Sequence, residues 1–221
     1  MEQNSWRIDA NLTTADSAEV SEFTRLFGFY RPNAAMRDIV RNPTWIVPLA
    51  LSSLAAMAYI AVVSRQPAPV LAAAGVAANV CIRTLLSAGL LTLFLAAVTR
   101  EPAPFRQVFA VVSYARMPGV VFTVLSIILI LMRRASGLPD GHPVNPMLTS
   151  LAVFLDPAST SRFVYTLASS VDCFVFWQFS LIALGLKMAS RISSTAANFA
   201  VVSLWVVMSF AQAAWAQFAF R

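Results

Sequence analysis

Val171-Asp172-Cys173-Phe174-Val175-Phe176-Trp177 sets a carboxylate inside an apolar run that continues through Gly185. An aspartate in the middle of such a run costs about 2.5 to 3.5 kcal/mol on membrane-insertion scales, so its charge has to be compensated from within the protein. The stretch predicts an integral membrane protein with something polar inside its bundle.

Working outward, the composition agrees. The chain is 58% hydrophobic and 12% charged, against about 25% charged for an average soluble domain. Its 221 residues leave room for one compact unit, a membrane domain over residues 43–221 behind a polar tail over residues 1–42. The formal charge of +6 comes from basic residues scattered at the ends of apolar runs. That distribution argues against a nucleic-acid partner and for membrane orientation.

A spanning helix needs about 20 predominantly apolar residues. Five stretches reach that length: Thr44 to Ser64, Val70 or Ala78 to Val98, Phe109 to Met132, Phe163 to Leu186, and Ala196 to Phe220. The expected fold is all-α, a polytopic bundle of about five transmembrane helices. Asn42-Pro43-Thr44 suits the start of the first helix, with Thr44 as its cap. Val70 to Asn79 is Ala-rich and reads either as an interfacial lead-in or as a tilted extension of the second helix. Met147 to Leu155 is too short to span and reads as a short interfacial helix.

In the tail, Val20, Phe23, Leu26, Phe27 and Tyr30 fall at helical spacing, and Ala35, Met36, Ile39 and Val40 repeat the pattern beyond Pro32. These segments form amphipathic helices that either lie on the membrane surface or pack on the bundle's own loops. The polar start carries no apolar core behind a basic cluster, so it does not read as a cleaved signal peptide and the first span is expected to direct targeting.

For an inner N-terminus, the inner segments hold Arg7, Arg25, Arg31, Arg37, Arg41, Arg100, Arg106, Lys187 and Arg191, and the outer segments hold Arg65, Arg133, Arg134, Arg162 and Arg221. The bias favours a cytoplasmic N-terminus and a C-terminus outside, with Arg133-Arg134 the main dissent.

Three ionisable residues lie inside the predicted spans: Arg83, Arg116 and Asp172. Asp172 is 15 residues from Lys187, and Arg83 is 17 from Arg100. At 1.5 Å per residue the two match in depth to about 3 Å, so an Arg83–Asp172 pair between the second and fourth helices is expected, as a lock on helix register before a proton or ion relay. Arg116 lies deeper toward the inner side. Tyr114 and Pro118 flank it, and a kink is expected where Pro118 removes a backbone hydrogen bond. Trp177 and Gln178 complete the set of intramembrane residues. Gly89, Gly185, Ala189, Ala196, Ala200 and Ser203 permit close helix approach.

No catalytic constellation, metal set or phosphate loop stands in the sequence, and no cofactor is implied. Cys81 and Cys173 read as small buried hydrophobes, and His142, the one histidine, as a solvated residue of a proline-rich loop.

The order of features resembles a known family. Pro32, Ile39, Asn42-Pro43 and Pro48 lead into the first span. Phe105-Arg106-Gln107-Val108 leads into Val112-Ser113-Tyr114-Ala115-Arg116-Met117-Pro118. Asp172-x-Phe174-x-x-Trp177 then precedes Leu181 and Gly185-Leu186. Over about residues 23–220 this looks like the Yip1 domain family in its bacterial form. The resemblance implies a five-helix membrane protein with a cytosolic N-terminus, in a bacterial cytoplasmic membrane. Eukaryotic members are scaffolds associated with Rab GTPases and vesicle traffic, a role that needs machinery bacteria lack. What carries over is architecture, membrane location and an interaction role without enzymatic activity.

Two function classes follow. One is a non-enzymatic membrane scaffold or membrane-organising protein whose partners are the lipid bilayer, another protein in the membrane or cytosol, or a second copy. The other is a small transporter or channel in which Arg83, Asp172 and Gln178 line a polar path.

Overall fold

A computed structural model describes residues 25–26, 31–64, 70–99, 103–137, 149–156 and 158–219. His142 with its proline-rich loop, and the first amphipathic segment apart from Arg25 and Leu26, lie outside the described residues. The helices are α1 (Pro32–Arg41), α2 (Ile46–Ser64), α3 (Val70–Val98), α4 (Phe105–Tyr114), α5 (Met117–Ala135), α6 (Arg162–Ser169), α7 (Cys173–Ser190) and α8 (Ser194–Ala219). A single 3₁₀ turn, Leu151–Phe154, precedes α6.

Among the described residues, five segments are long and apolar enough to cross a bilayer: Ile46–Ser64, Ala72–Val98, Phe105–Ala135, Cys173–Ser190 and Ser194–Phe218. Between 22% and 28% of each is buried against the rest of the protein. The outward faces carry Leu54, Ile82, Leu93, Met132, Phe199 and Val207, each more than half exposed. A face of that kind is stable against lipid tails and not against water.

The second span is one continuous helix, so Val70 to Asn79 extends it instead of forming a separate lead-in. At 1.5 Å per residue its 29 residues reach about 43 Å, more than the ~30 Å hydrocarbon layer, and the excess is taken up by tilt or protrusion.

The third and fourth spans depart most from expectation. The third is two pieces, α4 and α5, separated by a turn at Ala115–Arg116, with Pro118 in the first turn of α5. Pro118 has no N–H to give to the preceding turn, and the start of a helix is the place where that donor is not needed. The expected kink therefore takes the form of a break just ahead of the proline. In the fourth, the single helix predicted from Phe163 to Leu186 is divided. The hydroxyls of Ser169 and Ser170 donate back to the carbonyls of Tyr165 (2.8 Å) and Leu167 (2.7 Å), ending α6. The chain then runs extended through Asp172, and α7 starts at Cys173. Serine and aspartate offer the backbone local partners that compete with helix continuation, and a hydropathy window does not register this. α6 packs along α8, where Phe163 meets Phe210 at a ring distance of 6.1 Å.

α4 forms the axis. Val108 through Ala115 are buried without interruption, and α4 packs against α3, α7 and α1. Of the small residues predicted to allow close approach, Gly185 does so: a Cβ there would run into the Val111 side chain. Gly89 faces open space. Ala197 and Ala200 are buried in the main apolar cluster with Leu91, Leu95 and Leu186.

Two polar contacts fix the ends of the bundle. Thr44 does not cap α2; its hydroxyl meets the Tyr114 hydroxyl at 2.9 Å, tying the entry of the first span to α4. Arg134, which ran against the charge bias, donates from Nη1 to the Val62 carbonyl at 2.8 Å. A cation at a helix C-terminus satisfies carbonyls left over by the helix and matches its dipole, so this arginine has a structural reason to sit where it does.

The second amphipathic segment, α1, packs on helices α4 and α7 of the bundle, not on its loops. Its Met36 and Ile39 pack with Ala110, Val111 and Tyr114 of α4, and Leu181, Leu184 and Met188 of α7 close the cluster. Ile39 is 0% exposed. The apolar face of α1 is thus buried against the bundle. Asp38 pairs with Arg25 and accepts from Asn42 Nδ2 at 3.3 Å, while Arg37 and Arg41 stay exposed.

Candidate functional site

Asp172 is the N-cap residue of α7, not a mid-helix charge. It is extended at φ −136° and ψ 147°, and its Oδ1 accepts from the Phe174 N–H at 2.8 Å. Its Oδ2 accepts from the Thr149 hydroxyl. The Leu151 N–H donates to the Val171 carbonyl at 3.1 Å, so the segment ahead of the 3₁₀ turn lies antiparallel beside the break. Both carboxylate oxygens are therefore held by uncharged donors at a site 7% exposed.

The expected Arg83–Asp172 ion pair is not formed. Matching depth along two helices fixes one coordinate and leaves the azimuth free, and here Asp172 turns toward Thr149. Cys173, expected to be buried, is exposed, and Cys81 is half-buried; both are free thiols.

At the centre of the bundle lies a cavity of about 400 Å³ to which every span contributes. Arg83 from α3, Arg116 from the break between α4 and α5, and Gln178 from α7 share its wall with Ser87, Trp205 and Gln212. A neighbouring cavity of about 270 Å³ holds Asp172, and Gln178, Gln212, Ser170 and Gly119 belong to both walls. The structure thus gathers Arg83, Arg116 and Gln178 and sets Asp172 on the far side of the two glutamines. Gln212 was missed in the sequence. A polar amide deep in the fifth apolar run was the available signal.

Arg116 Nε is shielded from solvent and has no hydrogen-bond partner among the described residues. Arg83 makes no ion pair among the described residues, and the two arginines share the wall of one cavity. Trp177 stands outside both walls: it tilts against Phe174 at a ring distance of 6.4 Å, and Phe174 meets Phe122 of α5 at 5.4 Å. Its place is in the packing of α7.

Tyr114 is 2% exposed and links α4 to Thr44. Tyr114→Phe keeps the ring and removes that hydrogen bond, for an expected loss of about 1 kcal/mol of stability. Thermal unfolding in mild detergent reads it, and an unchanged midpoint would count against the Thr44 link.

Five apolar spans around a polar centre, the third broken at Arg116 and the fourth starting at the Asp172 cap, define a polytopic α-helical membrane protein. The sequence profile of the Yip1 domain matches residues 27–215, and the chain belongs to that family. No curated protein and no solved structure matches it.

Proposed function

We propose that this Yip1-domain protein is a non-enzymatic membrane-organising scaffold, seated in a bacterial cytoplasmic membrane with its N-terminus in the cytoplasm and its C-terminus outside. The observation that carries the reading is the seating of α1. An amphipathic helix able to float in a leaflet is instead built into the bundle through Met36, Ile39 and Val111. That seating holds exposed Arg31, Arg37 and Arg41 at the end of the bundle where Arg106, Lys187 and Arg191 are also exposed. A fixed basic platform suits recognition of an acidic partner surface at the membrane face. The capping role of Asp172 supports the same reading, because a carboxylate with both oxygens engaged is poorly placed to relay protons.

The test combines two measurements on the full chain. Photo-crosslinkers at Arg37 and Arg41 in intact membranes are expected to give a discrete adduct. Ile39→Asp, which puts a charge in the α1 seat, is expected to release α1, abolish the adduct and expose the N-terminal segment to protease while the spans stay folded. Saturable flux of a tracer anion through the purified protein in vesicles, suppressed by Arg83→Gln, would replace this reading with transport along the polar cavity.

A further inference from the structure

We propose that the central cavity is a binding site for a phosphate-type oxyanion, held between Arg83 and Arg116. Nothing in the spans supplies a counter-charge. No Asp or Glu occurs within Ile46–Ser64, Val70–Val98, Phe105–Ala135, Cys173–Ser190 or Ser194–Ala219. Asp172, which lines the neighbouring cavity, gives its oxygens to Thr149 and to the α7 N-terminus.

Two like charges on the wall of one cavity in a low-dielectric bundle, with no carboxylate partner among the described residues, favour a negative charge brought in as a ligand. Arginine presents a planar fork of donors that matches the oxygens of phosphate two at a time. The Arg116 Nε–H is a shielded donor with no acceptor among the described residues, which is the condition a bound oxyanion removes. Gln178, Gln212 and Ser87 add neutral donors around the same space. A volume of about 400 Å³ falls within the range of small-ligand sites and admits a phosphate or a phosphodiester headgroup with ordered water.

Two sources share that chemistry, a free phosphate and the headgroup of an anionic lipid. The experiment uses the full-length protein in mild detergent with two probes. Inorganic phosphate is titrated by calorimetry at constant chloride, and native mass spectrometry compares phosphatidylglycerol with phosphatidylcholine, which carries the same phosphodiester but no net charge. Saturable phosphate binding identifies a free oxyanion. A single retained phosphatidylglycerol with no retained phosphatidylcholine identifies a lipid headgroup. Either way, Arg83→Gln and Arg116→Gln are each expected to weaken binding by about tenfold or more, and Arg162→Gln, exposed and outside both the cavity and the basic platform, to leave it unchanged.

Where a Gln variant does not fold, Arg83→Lys and Arg116→Lys, which keep the charge and lose the fork, are expected to weaken binding as well. No saturable binding of either probe, or affinity unchanged in the cavity variants, overturns the site. The site stands apart from the scaffold reading: vesicle flux decides one, and phosphate or lipid binding decides the other.

Discussion

Gly185→Val is expected to be the most damaging single substitution in the bundle, at about 3 kcal/mol of stability. A Cβ at position 185 would overlap the Val111 side chain, and Val111 has no room to yield, being 0% exposed between α7 and α1. Gly185→Ala measures the same contact more finely. Alanine gains up to about 1 kcal/mol over glycine in a helix interior, and the overlap costs about 1 to 3 kcal/mol, so net destabilisation is expected despite the better helix former. Trimming the obstacle is expected to rescue it. In the Gly185→Ala/Val111→Ala double variant the loss should be smaller than the sum of the two single losses. Thermal unfolding in detergent decides the matter, and a Gly185→Ala protein as stable as wild type would show that α4 and α7 are not in close contact. Because Val111 also forms the α1 seat, Gly185→Val is expected to expose the N-terminal segment to protease.

Asp172→Ala is expected to cost about 2 to 3 kcal/mol. Loss of an N-cap side chain costs about 1 kcal/mol, and loss of a hydrogen bond to a charged group about 1.5 to 3, with some overlap because one carboxylate makes both. The Thr149 hydroxyl loses its acceptor and α7 loses the cap on Phe174 N–H in one step. Asp172→Asn is expected to be much milder, since asparagine caps helices as well as aspartate and its amide oxygen can still accept from Thr149. If Asn proved as damaging as Ala, the charge itself, and not the cap, would be the stabilising feature.

The span count was legible because it rests on a bulk property, about 20 apolar residues in a row, and four of the five predicted spans overlap the observed ones closely. The breaks in the third and fourth spans depend on single residues. Pro118, Ser169, Ser170 and Asp172 each redirect one or two backbone hydrogen bonds, and averaging hydropathy over a window removes that information. The signal was present in the residue types, since Ser-Ser-x-Asp is a helix stop followed by a helix cap. Depth arithmetic brought Arg83 and Asp172 level but could not say which way each side chain turns about its helix. Arg83 therefore meets Arg116 at the central cavity, and Asp172 meets Thr149. The role of Arg134 at the end of α2 depended on a contact 72 residues away in sequence, which no local pattern encodes.

The account turns on how Asp172 is satisfied, because its commitment to Thr149 is what leaves the two arginines without a carboxylate partner among the described residues. The most direct test is a pair of double-mutant cycles read by unfolding in detergent: Asp172→Ala with Thr149→Val, and Asp172→Ala with Arg83→Leu. A coupling of about 1 to 2 kcal/mol in the first cycle, and one within about 0.5 kcal/mol of zero in the second, is the predicted result. A coupling to Arg83 larger than that to Thr149 would contradict it, restoring the inter-helix ion pair and removing the case for an anion between Arg83 and Arg116.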